Sequence, residues 1–300
     1  MKVVSPQGMK GGVGKSVNAV NLAAFLAADQ KQTLFIDGDY QANSSLFFGK
    51  KRDALLNKKS LYEVLIGKKS MAEVISPSDF PYLDILPASN ELSLFNEKSR
   101  DRYTLRGLIQ KANLAKKYKY VVIDSRPELS DLFRNIVVAC DAIFLPIFPD
   151  CDAIDGLSIV LNNMAELSDA KRSICGEGIQ LLGCVLNNID RKFATELRLT
   201  PVIRKALEDK NIPILAEIQR SAGISTSKDA GRPLAFMPKL KNSAVGLSLQ
   251  EMTRNIVAGL NKTKAGRPTN IPTFTERETH KITDQLYKIE SGDLTGELAL

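Results

Sequence analysis

The chain has 300 residues, 44% of them hydrophobic and 25% charged, with 41 Lys and Arg against 34 Asp and Glu and a formal net charge of +7. That is enough apolar material for one large α/β domain or two small ones. Trp is absent and aromatics make up only 6%, which disfavours stacking platforms for single-stranded nucleic acid. No apolar run approaches the roughly eighteen residues of a membrane span, and no signal peptide is visible. Cys140, Cys151, Cys175 and Cys184 form no Cys-x-x-Cys pair and no metal spacing with the single His280. A reducing, cytoplasmic setting follows, with Cys140 and Cys184 as small buried hydrophobes.

The first predicted element organises the rest. Lys2-Val3-Val4-Ser5-Pro6 reads as a short strand, Gly8 to Gly14 as a glycine-rich loop, and Val17, Val20, Leu22, Phe25 and Leu26 as the apolar face of a helix. Strand, glycine loop and helix together aim free backbone N–H groups and a positive helix end at a phosphate chain. Gly11, Gly12 and Gly14 are expected to turn at positive φ and admit phosphate oxygens where a Cβ would obstruct. Val13 and Val17 add backbone contacts, Lys15 reaches the β- and γ-phosphates, and the Ser16 hydroxyl is a Mg²⁺ ligand. The usual P-loop spacing asks for glycine where Met9 stands.

Lys10-Gly11-Gly12-Val13-Gly14-Lys15-Ser16, with its second lysine at the loop entrance, resembles the deviant Walker A motif of the ParA/MinD superfamily of ATPases. The resemblance implies ATP and Mg²⁺ as cofactors. It also implies a homodimer in the ATP state, in which Lys10 reaches across to the partner's phosphates.

Gln32 to Asp37 is the next buried strand, and Asp37-Gly38-Asp39-Tyr40-Gln41-Ala42-Asn43 follows it. Acids at a strand's carboxyl end beside a phosphate loop are where an α/β sheet places metal and water ligands. By the resemblance Asp39 positions the attacking water and Asp37 supports the Mg²⁺ shell, while Tyr40 stands where the family has proline. Residues 50–60 are basic and expected to be exposed. Ser60 caps a short helix that stops at Gly67, a second helix covers Met71–Ile75, and Tyr82–Ser89 is a strand and its exit. Periodicity predicts an amphipathic basic helix over 101–117.

Tyr120-Val121-Val122-Ile123-Asp124 ends an apolar run on an acid, a Walker B pattern. Its carboxylate would hold Mg²⁺ through a water or the Ser16 hydroxyl. Where the family continues Asp-x-Pro-Pro, this chain has Ser125-Arg126-Pro127, and the role of Arg126 is open. Ala142–Ile147 is a strand, Asp155–Leu167 a helix and Ile179–Asn188 a long strand. This alternation predicts an α/β fold: a doubly wound, mostly parallel sheet with helices on both faces, of the P-loop NTPase type. Asn187 lies in a strand exit that resembles the family segment meeting the adenine base; a polar strand end favouring a turn is the equal alternative.

From Arg191 to Arg267 there are fifteen Lys and Arg against six Asp and Glu, a local excess larger than the net +7 of the chain. Charge so concentrated is a footprint for a phosphate backbone. The stretch Ala216–Pro233 resembles the family's Ile-Pro-Arg-Ser … Gly-Lys-Pro region. The resemblance implies that Arg220, Lys228, Arg232, Lys239, Lys241 and Arg254 contact DNA phosphates without reading sequence, with solvated surface charge as the plain alternative. Ser243–Leu260 is a final helix closing an ATPase domain over 1–260. Residues 261–272, including Gly266-Arg267-Pro268, read as a linker. A short helix over 274–290 shows Ile282, Leu286 and Ile289 on one face, and 291–300 is a loose end.

A phosphate cradle, two lysines, a hydroxyl metal ligand and strand-end acids suit phosphoryl transfer to water, where positioning and charge neutralisation supply nearly all the catalysis. The resemblance implies a short-type ParA without an operator-binding domain ahead of the loop. Such an ATPase is slow, cytoplasmic and nucleoid-associated, and stimulated by a centromere-binding or adaptor protein. Its ATP dimer binds non-specific double-stranded DNA and drives segregation of plasmid or chromosomal DNA. The alternatives are a MinD-like membrane-surface ATPase, disfavoured by the acids and few large apolar groups of 274–300, or a relative that positions another cargo. Carriers of iron–sulfur clusters would need cysteines this chain lacks.

Overall fold

The computed structural model describes residues 1–48, 58–95, 103–190, 194–262 and 270–293. Its core is an eight-stranded sheet in the order β3-β4-β2-β5-β1-β6-β7-β8. The strands are β1 Lys2–Pro6, β2 Thr33–Gly38, β3 Ser76–Pro77, β4 Leu83–Leu86, β5 Tyr120–Ser125, β6 Ala142–Ile147, β7 Gln180–Ile189 and β8 Ile214–Gln219. All neighbours pair in parallel except β3 with β4, an antiparallel edge. The central strands are apolar throughout because both faces are covered. Successive residues alternate between the two cores: Val3, Leu34, Ile36, Val121, Ile123 and Leu145 face one, and Val4, Phe35, Val122, Phe144 and Val185 face the other.

The helices are α1 Lys15–Ala28, α2 Asn43–Leu46, α3 Leu61–Leu65, α4 Met71–Val74, α5 Thr104–Lys111, α6 Asp131–Ala139, α7 Ala153–Cys175, α8 Ala194–Asp209, α9 Ala222–Asp229, α10 Pro238–Lys241, α11 Ala244–Lys262 and α12 Glu276–Ser291. Helices α1 and α11 cover the second face; α5, α6, α7, α8 and α12 contribute to the first. The doubly wound architecture expected from the alternation is therefore present, and β1, β2 and β5 lie at its centre.

Several elements differ from the sequence reading. The helix expected over 101–117 forms only at Thr104–Lys111, because Asn113 turns at φ 51 and a 3₁₀ turn follows at Leu114–Lys116. Helix α7 runs past Leu167 to Cys175, where Gly176 caps it at φ 74. Its inward face continues with polar residues: Ser168 Oγ accepts from Ile179 N at 2.9 Å, and Lys171 Nζ donates to the Cys140 carbonyl at 2.5 Å. The last helix is capped by Thr275, whose side chain and Glu278 form a capping box. Leu286 and Ile289 enter the main core, with Ile282 packed against it. Thr283 and Tyr287 bond Asp155 and Asp152 at the start of α7, at 2.9 and 2.6 Å. The exposed basic stretch falls mostly on residues 49–57, the linker on 263–269 with Gly266-Arg267-Pro268, and the loose end on 294–300; these lie outside the described residues.

Candidate nucleotide-binding site

The loop after β1 and the ends of β2 and β5 meet at one edge of the sheet. Gly14 is the N-cap residue of α1 at φ 94, with no side-chain cap and no acid in the first turn. The N–H groups of that turn are consequently open to an anion. Gly14 has to be glycine on two counts. Its φ lies in the left-handed region, and a Cβ there would sit 2.7 Å from Asn187 Nδ2. Gly12 also turns at positive φ, 79°, whereas Gly11, expected to do the same, does not. Among the described residues nothing lies within 4 Å of a would-be Cβ on Gly11.

Lys15 is only 6% exposed, and its ammonium donates to the Lys10 carbonyl at 2.8 Å. Burial pushes it down to about 8, against the opposing pull of Asp124 and Asp39. A lysine held by one carbonyl inside a glycine loop is short of negative charge, and a phosphate fits that need.

Asp37 and Asp124 stand opposite each other in the β2–β5 register. The strands come this close because Gly38 separates Asp37 from Asp39: a Cβ there would lie 2.5 Å from the Asp124 carbonyl oxygen. Asp37 accepts from Ser45 N and Oγ at 2.8 and 2.6 Å, and from Asp39 N at 3.0 Å. Asp124 accepts from Ser44 Oγ at 2.5 Å and Ser125 N at 2.9 Å, and the nearby Ser16 hydroxyl pulls its carboxyl down. Burial pushes both carboxyls up; the Asp124 charge adds to this at Asp37, and the Asp39 charge at Asp124. Two buried acids beside a hydroxyl suit a divalent cation held by one or two carboxylates and substrate phosphates. Among the described residues no group of three or more His, Cys, Asp or Glu gathers as a metal cage. Both Asp37 oxygens already have protein donors; it supports the site by fixing the Asp39 and Ser45 loops.

Lys10 is turned away from its own loop. Its Nζ lies 2.5 Å from Asp150 Oδ2 and 3.4 Å from Asp152 Oδ2. Burial alone would lower this ammonium, but the hydrogen bond and charge of Asp150, with Asp152 behind, hold it above its ordinary value. Asn187, nominated for the base, uses Nδ2 to donate to the Val13 carbonyl at 2.7 Å, so it braces the glycine loop. Sequence reasoning missed Ser44, Ser45, Asp150 and Asp152. The two serines carry a faint signal, following the acidic turn directly; the two acids carry none.

The six basic candidates lie on the β8 exit, α9, the turn after it, α10 and α11; the turn crosses α1, where Leu234 N donates to Asn21 Oδ1, and Phe236 stacks on Phe80. Lys228, Arg232, Lys239 and Arg254 are exposed and Lys241 half-buried. Arg220 is tied to Asn188 Oδ1 at 3.3 Å and Asp190 at 3.8 Å. Among the described residues no helix is long and apolar enough to cross a membrane.

A family model described as an AAA domain matches residues 1–175. The chromosome partitioning protein ParA of Caulobacter vibrioides is 29% identical over 238 residues, covering 78% of this chain and 86% of that protein. The sporulation initiation inhibitor protein Soj of Bacillus subtilis is 26% identical over 255 residues, 83% and 96% of the two chains. The solved septum site-determining protein MinD of Pyrococcus horikoshii, complexed with Mg-ADP, shares the fold with a TM-score of 0.68 at 22% identity, covering 88% of this chain and 99% of its own. This chain belongs to the AAA domain family and to the ParA/MinD superfamily of deviant Walker A ATPases, close to the ParA-type partition ATPases.

Proposed function

We propose that this protein is an ATP-hydrolysing dimerisation switch of the ParA type. In its ATP state it binds double-stranded DNA without reading sequence and drives segregation of plasmid or chromosomal DNA. The observation that carries the reading is the convergence of Lys15, Ser16, Asp37, Asp39 and Asp124 at one edge of adjacent central strands, with Lys10 outside it on an intrachain acid pair. The partition proteins among its relatives, and the Mg-ADP held by a protein of the same fold, support it.

In this reading the N–H groups from Gly11 to Val17 and the Lys15 ammonium bind the phosphates. Ser16 and Asp124 hold Mg²⁺, with Asp37 behind them. The metal supplies charge neutralisation on the phosphates. Lys15 becomes fully charged against the anion, Asp39 orients the attacking water, and Lys10 leaves its acids to meet the phosphates of a second copy. A dimer ordered by the γ-phosphate loosens once it is cleaved, and a centromere-binding or adaptor protein speeds that otherwise slow step. Lys228, Arg232, Lys239, Lys241 and Arg254, joined by Arg220 when it leaves Asp190, meet the DNA backbone.

The test is co-sedimentation with DNA in ADP, ATP or a slowly hydrolysed ATP analogue, across a salt series and beside anionic liposomes. Retention on DNA that needs ATP and falls steeply with salt, as counterion release requires, is the expected result. A flat salt response removes the basic surface from the reading, and retention on liposomes alone replaces DNA with a membrane surface.

A further inference from the structure

Two residues that depart from the family motifs, Tyr40 and Arg126, meet in the fold. Strands β2 and β5 run parallel with Gly38 opposite Ser125, so the next residues along each, Asp39-Tyr40 and Arg126, leave the sheet side by side. The Arg126 guanidinium carbon sits 3.7 Å from the centroid of the Tyr40 ring. Its Nη1 donates to Asp39 Oδ1 at 3.1 Å. Glu128 is 3.7 Å from Nε, too far for a hydrogen bond, and among the described residues that buried nitrogen has no hydrogen-bond partner. The guanidinium plane is thus set by a ring face and its edge is given to one carboxylate oxygen.

Asp39 Oδ1 accepts a second hydrogen bond, from Gln41 N at 2.9 Å. Both donors converge on Oδ1, and among the described residues none meets Oδ2. The carboxylate cannot rotate about its Cβ–Cγ bond without losing both. Side-chain exposures of 23% for Arg126 and 16% for Asp39 keep the pair less screened than a surface ion pair. We infer that Arg126 is a positioning residue for hydrolysis: held flat by Tyr40, it clamps Asp39 Oδ1 so that Oδ2 is presented in a fixed direction to the attacking water. The inference rests on the reading of Asp39 as the water-orienting acid and adds what holds that acid still. Arg126 neither gives nor takes a proton. It ties the loop after β2 to the loop after β5, so a displacement of either moves the acceptor.

The experiment is steady-state ATP hydrolysis by the full chain with Mg²⁺, with ATP affinity measured separately by titration calorimetry. Arg126→Ala is expected to lower kcat about ten- to hundredfold, the scale of a misplaced reacting group, with ATP affinity unchanged. Arg126→Lys keeps the charge but loses the planar fork, so it restores the rate only in part. Tyr40→Leu removes the ring face and lowers kcat about two- to fivefold. These two milder variants carry the test if the alanine variant does not fold. In an Asp39→Ala background, Arg126→Ala has no further effect on kcat, because the two side chains act as one unit. Wild-type or faster turnover in Arg126→Ala overturns the clamp. So does weaker ATP affinity with kcat kept, which would make the guanidinium a phosphate contact. If Asp39→Ala itself turns over at the wild-type rate, the reading of Asp39 falls first and the clamp falls with it.

Discussion

Lys10 Nζ and Asp150 Oδ2 are 2.5 Å apart on the same chain, with Asp152 Oδ2 at 3.4 Å. In the proposed dimer that ammonium has to reach a partner's phosphates, so the intrachain pair must open first. Asp152 is itself fixed by Tyr287 from the last helix, which places α12 one contact away from Lys10. The Lys10 side chain is 41% exposed, and a pair so exposed is worth at most about 1 kcal/mol. Replacing both acids, Asp150→Asn with Asp152→Asn, is therefore expected to lower the ATP concentration for dimerisation by no more than about fivefold. Lys10→Ala should bind ATP as a monomer and form no ATP-dependent dimer. Light scattering across an ATP titration checks both, and a dimer in Lys10→Ala removes the lysine from the interface.

Asn187 and Gly14 form a second pair with a measurable consequence. The Asn187 amide donates to Val13 O at 2.7 Å, and a Cβ on Gly14 would lie 2.7 Å from that same nitrogen. Asn187→Ala leaves the carbonyl unpaired and should cost about 1 kcal/mol of stability, with a severalfold loss of ATP affinity as the loop loosens. Gly14→Ala meets both the collision and the strain of φ 94, the latter about 1–2 kcal/mol. Combining the two relieves the collision and not the strain. Urea denaturation should show the double variant less destabilised than the sum of the singles; strict additivity would place the loop free of Asn187.

Most of the parallel sheet was legible because strands such as Ala142–Ile147 are short apolar runs between helical patterns; β8, Ile214–Gln219, is interrupted by Glu217 and does not read as one. The phosphate loop was legible because glycines at fixed spacing have few other uses. Helix α8 was not: its inward residues Leu199, Ile203 and Leu207 are diluted by a basic run and by Pro201 inside the helix, which reads as a breaker. The far end of α7 was hidden for the opposite reason, since its buried face ends in Ser168 and Lys171, polar residues that periodicity counts as outward. The Lys10–Asp150 pair joins residues 140 positions apart, and nothing in either local sequence announces the other. Tyr40 and Arg126 were visible one by one as departures from a motif; only the strand register brings them together.

The docking of the last helix carries a pH signature. Glu278 accepts from Lys210 at 2.9 Å, and that bond first, then the Thr275 cap, holds its carboxyl down at about 2 against an ordinary 4.5. A folded value below the unfolded one means the contribution is present above about 4.5 and is lost as pH falls towards about 2. Thermal unfolding followed from pH 6 to 3 should therefore fall more steeply in the wild-type chain than in Glu278→Gln. Thr275→Ala, which removes the cap, should cost about 1 kcal/mol at neutral pH. Parallel acid profiles for wild type and Glu278→Gln would remove this carboxylate from the docking of α12.

Lys171 gives the opposite sign. It is fully buried, forms no ion pair among the described residues, and donates to Cys140 O at 2.5 Å, the carbonyl at the end of α6. Burial pushes its ammonium down, and the Arg106 charge adds to that, with Asp141 opposing. In the unfolded chain the same group titrates near 10.5. Between the lowered folded value and 10.5 the unfolded state holds the extra proton, so stability rises with pH through that window. Below the folded value the cost of a buried charge is present in full. Lys171→Met keeps the length and removes the charge; loss of the cap bond and relief of desolvation offset, leaving neutral-pH stability within about 1–2 kcal/mol of wild type. Lys171→Ala adds a cavity and should cost about 2–4 kcal/mol. Urea denaturation from pH 7 to 10 is the measurement: the wild-type chain should gain stability over the upper part of that range relative to Lys171→Met, and equal slopes would assign the gain to other groups.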